Sequence, residues 1–467
     1  MVEIAFTESS ELLFHTRIDA EFYKPPYAKI YQILNKASKR YELVKLPNLL
    51  SVQVKTGSTP NPEERIPKLD GTDVMFIKTD SVRKGLINYE SADLLPIEQH
   101  EKRKATALKN MDIVVTVVGA THDIVARAGL YLKHTEANIN QSDAVIRVNP
   151  NKIEAGYLST FINSKYGRIQ LWRYSGQTGQ VTINCREVEE LQVLMLEPEF
   201  RKKIHNMVLE SEKLREESKR VYKEAEETLI RELEFDKFKM ESSLIFHSKL
   251  STIQNKKRID ADYYLPHYLT MENKLINEFE AKKISDFEFI KITTGQYSEE
   301  YVNEGRPYIR GLDINSGTID TEGLFNINPQ QQISSKKAKE GDIVVTRVGS
   351  IGISAIIPKE LEGGTISDNL IRLRFIDTDI LDPYYVIVYL NSIGSQFMVR
   401  ESRGSVQQRL NQETLKEIYI PCLDKNKQNK IAGMMIKSIE LRNEAKNLLK
   451  TAVESVENHI EKLTISS

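Results

Sequence analysis

Lys24-Pro25-Pro26-Tyr27 nearly spells the (Asn/Asp/Ser)-Pro-Pro-Tyr tetrapeptide with which enzymes that methylate a DNA amino group hold their target. That chemistry needs a hydrogen-bond acceptor in first place, and Lys carries only donors. A Phe/Asp-x-Gly-x-Gly cofactor loop must also precede the tetrapeptide, and only residues 1–23 stand upstream. The sequence shows no Gly-x-x-x-x-Gly-Lys phosphate loop and no convincing carboxylate–lysine nuclease cluster. Cys185 and Cys422 are the only cysteines, too few and too far apart for a zinc site or a disulfide framework. The expectation is a chain with no catalytic residue and no metal site.

The tetrapeptide gains another meaning from its surroundings. RIDAEFYKPPY, from Arg17, returns as RIDADYYLPHY, from Arg258, and Leu265-Pro266-His267-Tyr268 again lacks the acceptor. Phe76-Ile77-Lys78 and Gly85-Leu86-Ile87 return as Tyr308-Ile309-Arg310 and Gly317-Thr318-Ile319. MDIVVTVVGA, from Met111, matches GDIVVTRVGS, from Gly341, and Asp143 to Arg147 matches Asp368 to Arg372. Ile204, Met207, Leu214, Arg215 and Glu217 match Ile431, Met434, Leu441, Arg442 and Glu444. Matches that keep one order along both halves are a tandem duplication. The offset is 241 at Arg17/Arg258, 230 at Asp112/Asp342, 225 at Asp143/Asp368 and 227 at Ile204/Ile431. Length changes therefore fall inside the globular parts, where loops tolerate them and carry recognition. The repeated opening reads as an extended, Pro-containing turn whose aromatics pack onto each domain and the base of a helix.

The elements around these motifs are mixed. Asp112 to Val118 and Asp342 to Val348 are β-branched runs ending in glycine, which predicts buried strands followed by tight turns. Val145 to Val148 and Leu370 to Leu373 add short strands, and Tyr157 to Asn163 and Tyr384 to Asn391 predict helices. The order is no regular βαβ alternation, so the fold class expected is α+β. From Glu199 to Phe235 and from Lys427 to Leu463, Gly and Pro all but vanish and charge rises. Met207, Leu214, Val221, Ala225 and Leu229, with small Ser211 and Ser218 filling the seam, form a heptad-like stripe in the first segment. Met434, Leu441, Ala445, Leu448, Ala452, Val456, Ile460 and Leu463 form the second. Each helix would be roughly 50–55 Å long, and the pair would bury each other's seams as an antiparallel coiled coil. The expected boundaries are a first domain over 1–198, a central helix over 199–238, a second domain over 239–423 and a C-terminal helix over 424–467.

Two variable α+β halves, each followed by a long helix, resemble the specificity subunit of Type I restriction–modification systems over essentially the whole chain. The similarity rests on Gly341 to Gly352 (GDIVVTRVGSIG) and on Gly404, Gln408, Asn411, Leu415, Pro421, Gln428 and Ile431. In the first half Met111 replaces the expected Gly, and Val117 to Ala120 lacks the Arg and Ser; Gly176 to Gln180 with Asn184 fits the second motif. The resemblance implies a non-catalytic reader of double-stranded DNA whose two halves each recognise one half of an asymmetric bipartite site. It implies that the helix pair sets the gap between half-sites and docks methyltransferase subunits, two of them, with restriction subunits as further partners. S-adenosylmethionine, and ATP and Mg in a Type I complex, would belong to those partners. A closely related reader for a Type II enzyme and a non-DNA coiled-coil adaptor remain as alternatives.

Bases are read by paired donors and acceptors and phosphates by Lys, Arg, Ser, Thr and amides near glycine. On that chemistry and the resemblance, the DNA-contacting residues of the first half are Lys55, Thr56, Ser58, Lys78, Arg127, Gln177, Thr178 and Gln180. Those of the second are Thr294, Gln296, Arg310, Arg347, Ser350, Arg403, Ser405, Gln407, Gln408 and Arg409. A solvated polar turn is the competing reading for the glutamines, and a structural ion pair is an equal reading for Arg347. His122 and His134 read as surface histidines, Trp172 as packing rather than base stacking, and Lys102-Arg103-Lys104 as a solvated or phosphate-facing run. A net charge of −1, from 65 basic and 66 acidic residues, gives no support to a basic DNA-coating protein, though local patches can still bind. No apolar run is long enough to span a bilayer and the N-terminus lacks a basic n-region, so a reducing cytoplasm is expected.

Overall fold

A computed structural model describes residues 20–175, 180–237, 245–247, 250–256, 258–298, 300–302, 304–330, 337–402 and 409–465. The chain divides into two compact units, Met1–Arg215 with Asn443–Ser467, and Glu216–Arg442. In the first unit α1 (Pro25–Ala37) leads to β1 (Lys55–Thr56), β2 (Val74–Ile77), β3 (Ile113–Thr116), β4 (Ala128–Leu130), β5 (Ala137–Ile139) and β6 (Asp143–Ile146). Then come α2 (Ala155–Asn163), α3 (Lys165–Trp172) and the first part of the long α4 (Pro198–Glu232). β1, β6, β3 and β4 make an antiparallel sheet in that order, extended by Gly85–Leu86. β2 and β5 pair in parallel in a second, smaller sheet.

The second unit repeats the plan with α5 (Pro266–Phe279), β7 (Ile290–Thr294), β8 (Arg306–Ile309), β9 (Ile343–Thr346), β10 (Ser354–Ile356), β11 (Thr365–Ile366) and β12 (Leu370–Phe375). α6 (Pro383–Asn391), α7 (Ile393–Glu401) and the long α8 (Lys425–Ile465) follow. The main sheet runs β7-β12-β9-β10, and β8 pairs with β11 in parallel. The fold is α+β, with duplicated domains and two long helices. The IVVT runs are buried at every position because both faces of β3 and β9 are covered. Ile113 and Val115 face the cluster with Phe161 and Ile162, while Val114 joins Ile77, Ile139 and Val145. Ile343 and Val345 pack with Tyr385 and Val386, while Val344 joins Ile309 and Ile366.

Hydrogen bonds correct one repeat match. Arg147 forks onto buried Asp112, with Nε to Oδ1 at 2.8 Å and Nη2 to Oδ2 at 2.6 Å. The same fork in the second unit is made by Arg374 onto Asp342, at 2.7 and 2.6 Å, and not by Arg372. β6 and β12 therefore align two residues away from the string match, with an offset of 227 from Asp143/Leu370 onward. A slip of two keeps every side chain on its face, so hydrophobic alternation cannot reveal it. At the β3 turn, Met111 takes the left-handed φ of 71° where the other copy has Gly341 at 82°. Its amide is held by the Tyr131 carbonyl at 2.8 Å, as that of Gly341 is by Ile357 at 3.0 Å.

The repeated opening is not an extended turn. Pro25 and Pro26 begin α1 and Pro266 begins α5; a helix's first turn suits proline, whose missing N–H is no loss there. A short 3₁₀ turn precedes each helix, at Ala20–Tyr23 and Ala261–Tyr264. Buried arginines of the same unit hold these turns. Arg173 Nε donates to the Phe22 carbonyl at 2.8 Å, and Arg400 Nε to the Tyr263 carbonyl at 2.9 Å. The aromatics thus pack on an arginine following α3 or within α7, rather than at the base of a long helix.

Within each unit the long helices pair antiparallel. In the first, Phe200 meets His459 at 4.6 Å between ring centroids, and Ser211 Oγ donates to the Ala445 carbonyl at 2.9 Å. In the second, Ser438 Oγ donates to the Ser218 carbonyl at 2.8 Å, Ser218 Oγ to the Ser438 carbonyl at 2.7 Å, and Lys427 pairs with Glu232 at 3.1 Å. Val221, Ala225, Leu229, Leu441, Ala452 and Val456 are buried as expected of the seam. Met207, Leu214, Met434 and Leu448 are only half-buried; Ile204, Val208, Ile431, Met435 and the serines take the inner positions. Small side chains at the contact let the backbones approach closely, so the largest apolar residues stand at the margin. Ser218→Leu is expected to cost about 1–3 kcal/mol in chemical denaturation through overpacking, whereas Ser218→Ala costs about 1 kcal/mol. Equal stabilities for the two variants would show that the seam is not tightly packed at this point.

Candidate nucleic-acid interface

In each unit the loops leaving the main and small sheets meet. In the first unit Gly57 N donates to the Asp143 carbonyl at 3.1 Å, Asn140 N to Ile77 at 3.2 Å, and Val117 N to Ser142 at 2.8 Å. Ile183 N then donates to Val117 at 2.9 Å, and the short strand Val181–Thr182 pairs with Val118–Gly119. The second unit repeats these joints: Gly295 N to Leu370 at 3.2 Å, Ser367 N to Ile309 at 2.9 Å, Arg347 N to Asn369 at 3.2 Å and Leu410 N to Arg347 at 2.9 Å. Gly57 and Gly295 are required here, because a Cβ would lie 2.0 Å from the carbonyl oxygens of Ile139 and Ser367. Four loops of each half, 57–60, 78–80, 117–122 and 140–142 in the first, are thereby drawn into one cluster beside the 180–183 segment.

The expected DNA-contacting residues fall into three groups. Lys55, Thr56, Ser58 and Gln180 lie exposed on or beside the first cluster, and Ser350 and Arg409 are exposed in the second, where Arg409 bridges to Val348. Gln177, Thr178, Arg403, Ser405, Gln407 and Gln408 lie outside the described residues. The remainder are committed to the fold. Arg127 is 6% exposed and bonds Asp123 through Nη2 at 2.6 Å. Burial alone would raise the Asp123 carboxyl, but the hydrogen bond from Arg127 and the charge of Lys84 hold it below the usual carboxylate range. Arg127 is thus buried in an ion pair and does not face a ligand.

Lys78 is half-buried between Asp93 at 3.0 Å and Asp80 at 3.8 Å. Arg310 forks onto Asp313 at 2.8 and 3.1 Å and lies 3.9 Å over the Phe325 ring. Arg347 donates to the carbonyls of Leu410 at 3.2 Å and Asp368 at 3.3 Å, so it ties two loops together without a carboxylate partner in that role. Thr294 accepts from the Gln412 side chain, and Gln296 joins the cluster through its amide, 2.7 Å from the Ile366 carbonyl.

Trp172 packs in the core, its Nε1 donating to Val125 at 3.1 Å. His122 stacks on it edge-on, reaches Ser175 at 3.0 Å, and burial lowers its pKa, so it is a packed rather than a surface histidine. His134 is exposed. The basic run is answered by acids, Lys104 by Glu101 at 2.9 Å and Lys102 by Glu64 at 3.7 Å. Sequence reasoning passed over Asp143, Asn140 and Gln412. Asp143 is fully buried in the middle of the first cluster, and burial pushes its carboxyl up to about 7. Its one signal was an acid standing where the other copy has Leu370, visible only after the two-residue correction.

Among the described residues no group of His, Cys, Asp and Glu could hold a metal ion, and no helix is long and apolar enough to cross a membrane. The clusters offer amides, hydroxyls, amides of Gln, and cations on a rigid frame, a chemistry of recognition. Comparison with known proteins agrees. Residues 276–455 match the Type I restriction modification DNA specificity domain. A stretch of 133 residues is 27% identical to the Type I restriction enzyme EcoBI specificity subunit of Escherichia coli and spans 28% of each chain. Among solved structures, the Type-I restriction-modification S subunit from M. genitalium is 15% identical, covering 91% of this chain and 96% of its own, with a TM-score of 0.37. The HsdS subunit from Thermoanaerobacter tengcongensis is 14% identical, with 91% and 96% covered and a TM-score of 0.29. Residues 276–455 thus carry the likeness to the Type I restriction modification DNA specificity domain, and the chain is similar to a Type I specificity subunit over a shorter stretch.

Proposed function

We propose that this chain is the non-catalytic specificity subunit of a restriction–modification complex, each half reading one half of an asymmetric bipartite site in double-stranded DNA. The observation that carries this reading is the repeated loop cluster: identical backbone joints in both halves present different side chains at matching positions, Ser58 and Thr182 in one where the other has Gln296 and Arg409. Two related surfaces with different donors and acceptors select different bases. The paired helices set the gap between the half-sites and dock two methyltransferase subunits, which supply S-adenosylmethionine. Restriction subunits add ATP- and Mg-dependent cleavage.

The test is to incubate the chain and its methyltransferase partner with genomic DNA and labelled S-adenosylmethionine and to map the modified bases. A bipartite, asymmetric motif is expected; no sequence-specific methylation would overturn the reading. Arg409→Ala should relax base preference in one half-site only, and Gln180→Ala in the other, by about 1–3 kcal/mol per base-specific contact. Loss at both half-sites from either substitution would show that the two halves do not read separately.

A further inference from the structure

Asp143 is an acid in a position built for an apolar side chain. Its counterpart, Leu370, packs with Ile309, Val344 and Ile366 in the core between the two sheets of the second unit. Asp143 is fully buried in the equivalent place. Thr79 Oγ1 reaches Oδ2 at 3.3 Å, while Oδ1 has no hydrogen-bond partner. Thr116, its cross-strand neighbour on β3, stands beside the carboxyl with its own hydroxyl unpartnered; burial favours the neutral carboxyl more than hydrogen bonds from Thr116 and Thr79 favour the ionised one. From the 78–80 loop the group is faced by the charge of Asp80, which opposes ionisation. Lys78 of the same loop is taken up by Asp80 and Asp93. From the end of β1 and the 140–142 loop, the Gly57 amide and the Asn140 carbonyl bond the main chain of Asp143 and bring no charge to its carboxyl.

We propose that Asp143 is a positioning residue whose protonation sets the first half's loop cluster, so that this half engages DNA with uptake of a proton. A neutral carboxyl can donate its O–H to the orphaned Thr116 hydroxyl oxygen and keep the bond from Thr79, closing both buried vacancies across β3, β6 and the 78–80 loop. An ionised one can accept from both threonine hydroxyls, but burial and the charge of Asp80 oppose it, so it favours loop positions that admit water. DNA phosphates held at Ser58 add negative potential and make the proton harder to lose. Binding and protonation therefore favour each other. The second half, with Leu370, has no such coupling.

This inference rests on the DNA-reading function proposed above. The experiment measures specific affinity for a duplex carrying the sequence methylated by the full complex, from pH 6.5 to 8.5, for wild type, Asp143→Asn and Asp143→Leu. The wild-type affinity should fall as pH rises, by at most about tenfold per unit for one coupled proton, and both variants should flatten that fall. Calorimetry in buffers of different ionisation enthalpy should show proton uptake in the wild type and less of it in the variants. Parallel slopes for wild type and variants overturn the role of Asp143 while leaving the DNA-reading function intact. Absence of specific binding by the wild type at every pH overturns both. If Asp143→Asn fails to fold, Asp143→Leu, which copies the second unit, supplies the comparison.

Discussion

Asp342→Ala should destabilise the second unit by about 3–5 kcal/mol, the range expected when one partner of a buried ion pair is removed. Asp342 is 2% exposed and accepts the bidentate fork of Arg374 as well as the Lys339 amide at 2.9 Å. Arg372 lies beside it, with Nε 3.9 Å from Oδ2, and burial followed by the charge of Arg374 already pulls its pKa down. Deleting the carboxylate leaves two guanidiniums to share the Lys337 carbonyl, to which both already donate at 2.8 Å. Asp112→Ala in the first unit should cost less, because Arg147 is the one guanidinium that depends on Asp112 and the position matching Arg372 is Val145. Arg372→Val in the Asp342→Ala background should recover part of the loss. Urea denaturation of the three variants checks the order; an Asp342→Ala chain within about 1 kcal/mol of wild type would show that the fork carries little of the unit's stability.

These forks also show which features the sequence could reveal. The duplication supplied its own alignment, so strands, helices and their repeated order were legible without any second protein. The strand register was not, because DAVIR and DNLIR share their outer letters and a shift of two preserves the alternation of faces. Only the partner of Arg147 distinguishes the alignments. In the helix seam the spacing and the small Ser211 and Ser218 were legible, but not that some of the large apolar residues stand at its margin. Met207 and Leu214 are the large apolar residues, but the contact is made through Ser211 and Ser218, whose hydroxyls bond carbonyls of the facing helix. The opening prolines were assigned to a turn because proline breaks helices internally; at a first turn it begins them. Candidate DNA contacts were the least legible. A basic residue's type does not say whether its side chain stands exposed, as that of Lys55 does, or is buried against an aspartate, as that of Arg127 is.

Asp143→Leu should stabilise the first unit near neutral pH, by up to about 4 kcal/mol, and should remove a pH dependence rather than add one. Burial raises this carboxyl from its ordinary 3.8 to about 7. Between those values the folded chain holds a proton that the unfolded chain has released, so unfolding releases it. Wild-type stability from this group is therefore full below about pH 4, falls by about 1.4 kcal/mol per unit as pH rises, and is lost once pH passes about 7. Other carboxylates impose their own pH dependence, but it is common to both chains and cancels in the difference. The difference between variant and wild type should accordingly grow from about pH 4 to 7 and stay constant above. Asp143→Asn, with nearly the same volume and no titration, should show the same curve with a smaller offset, since its amide still asks for partners that Leu does not. A difference independent of pH would mean that Asp143 ionises in the folded chain as it does in the unfolded one, and the unpartnered Oδ1 would then require a different explanation.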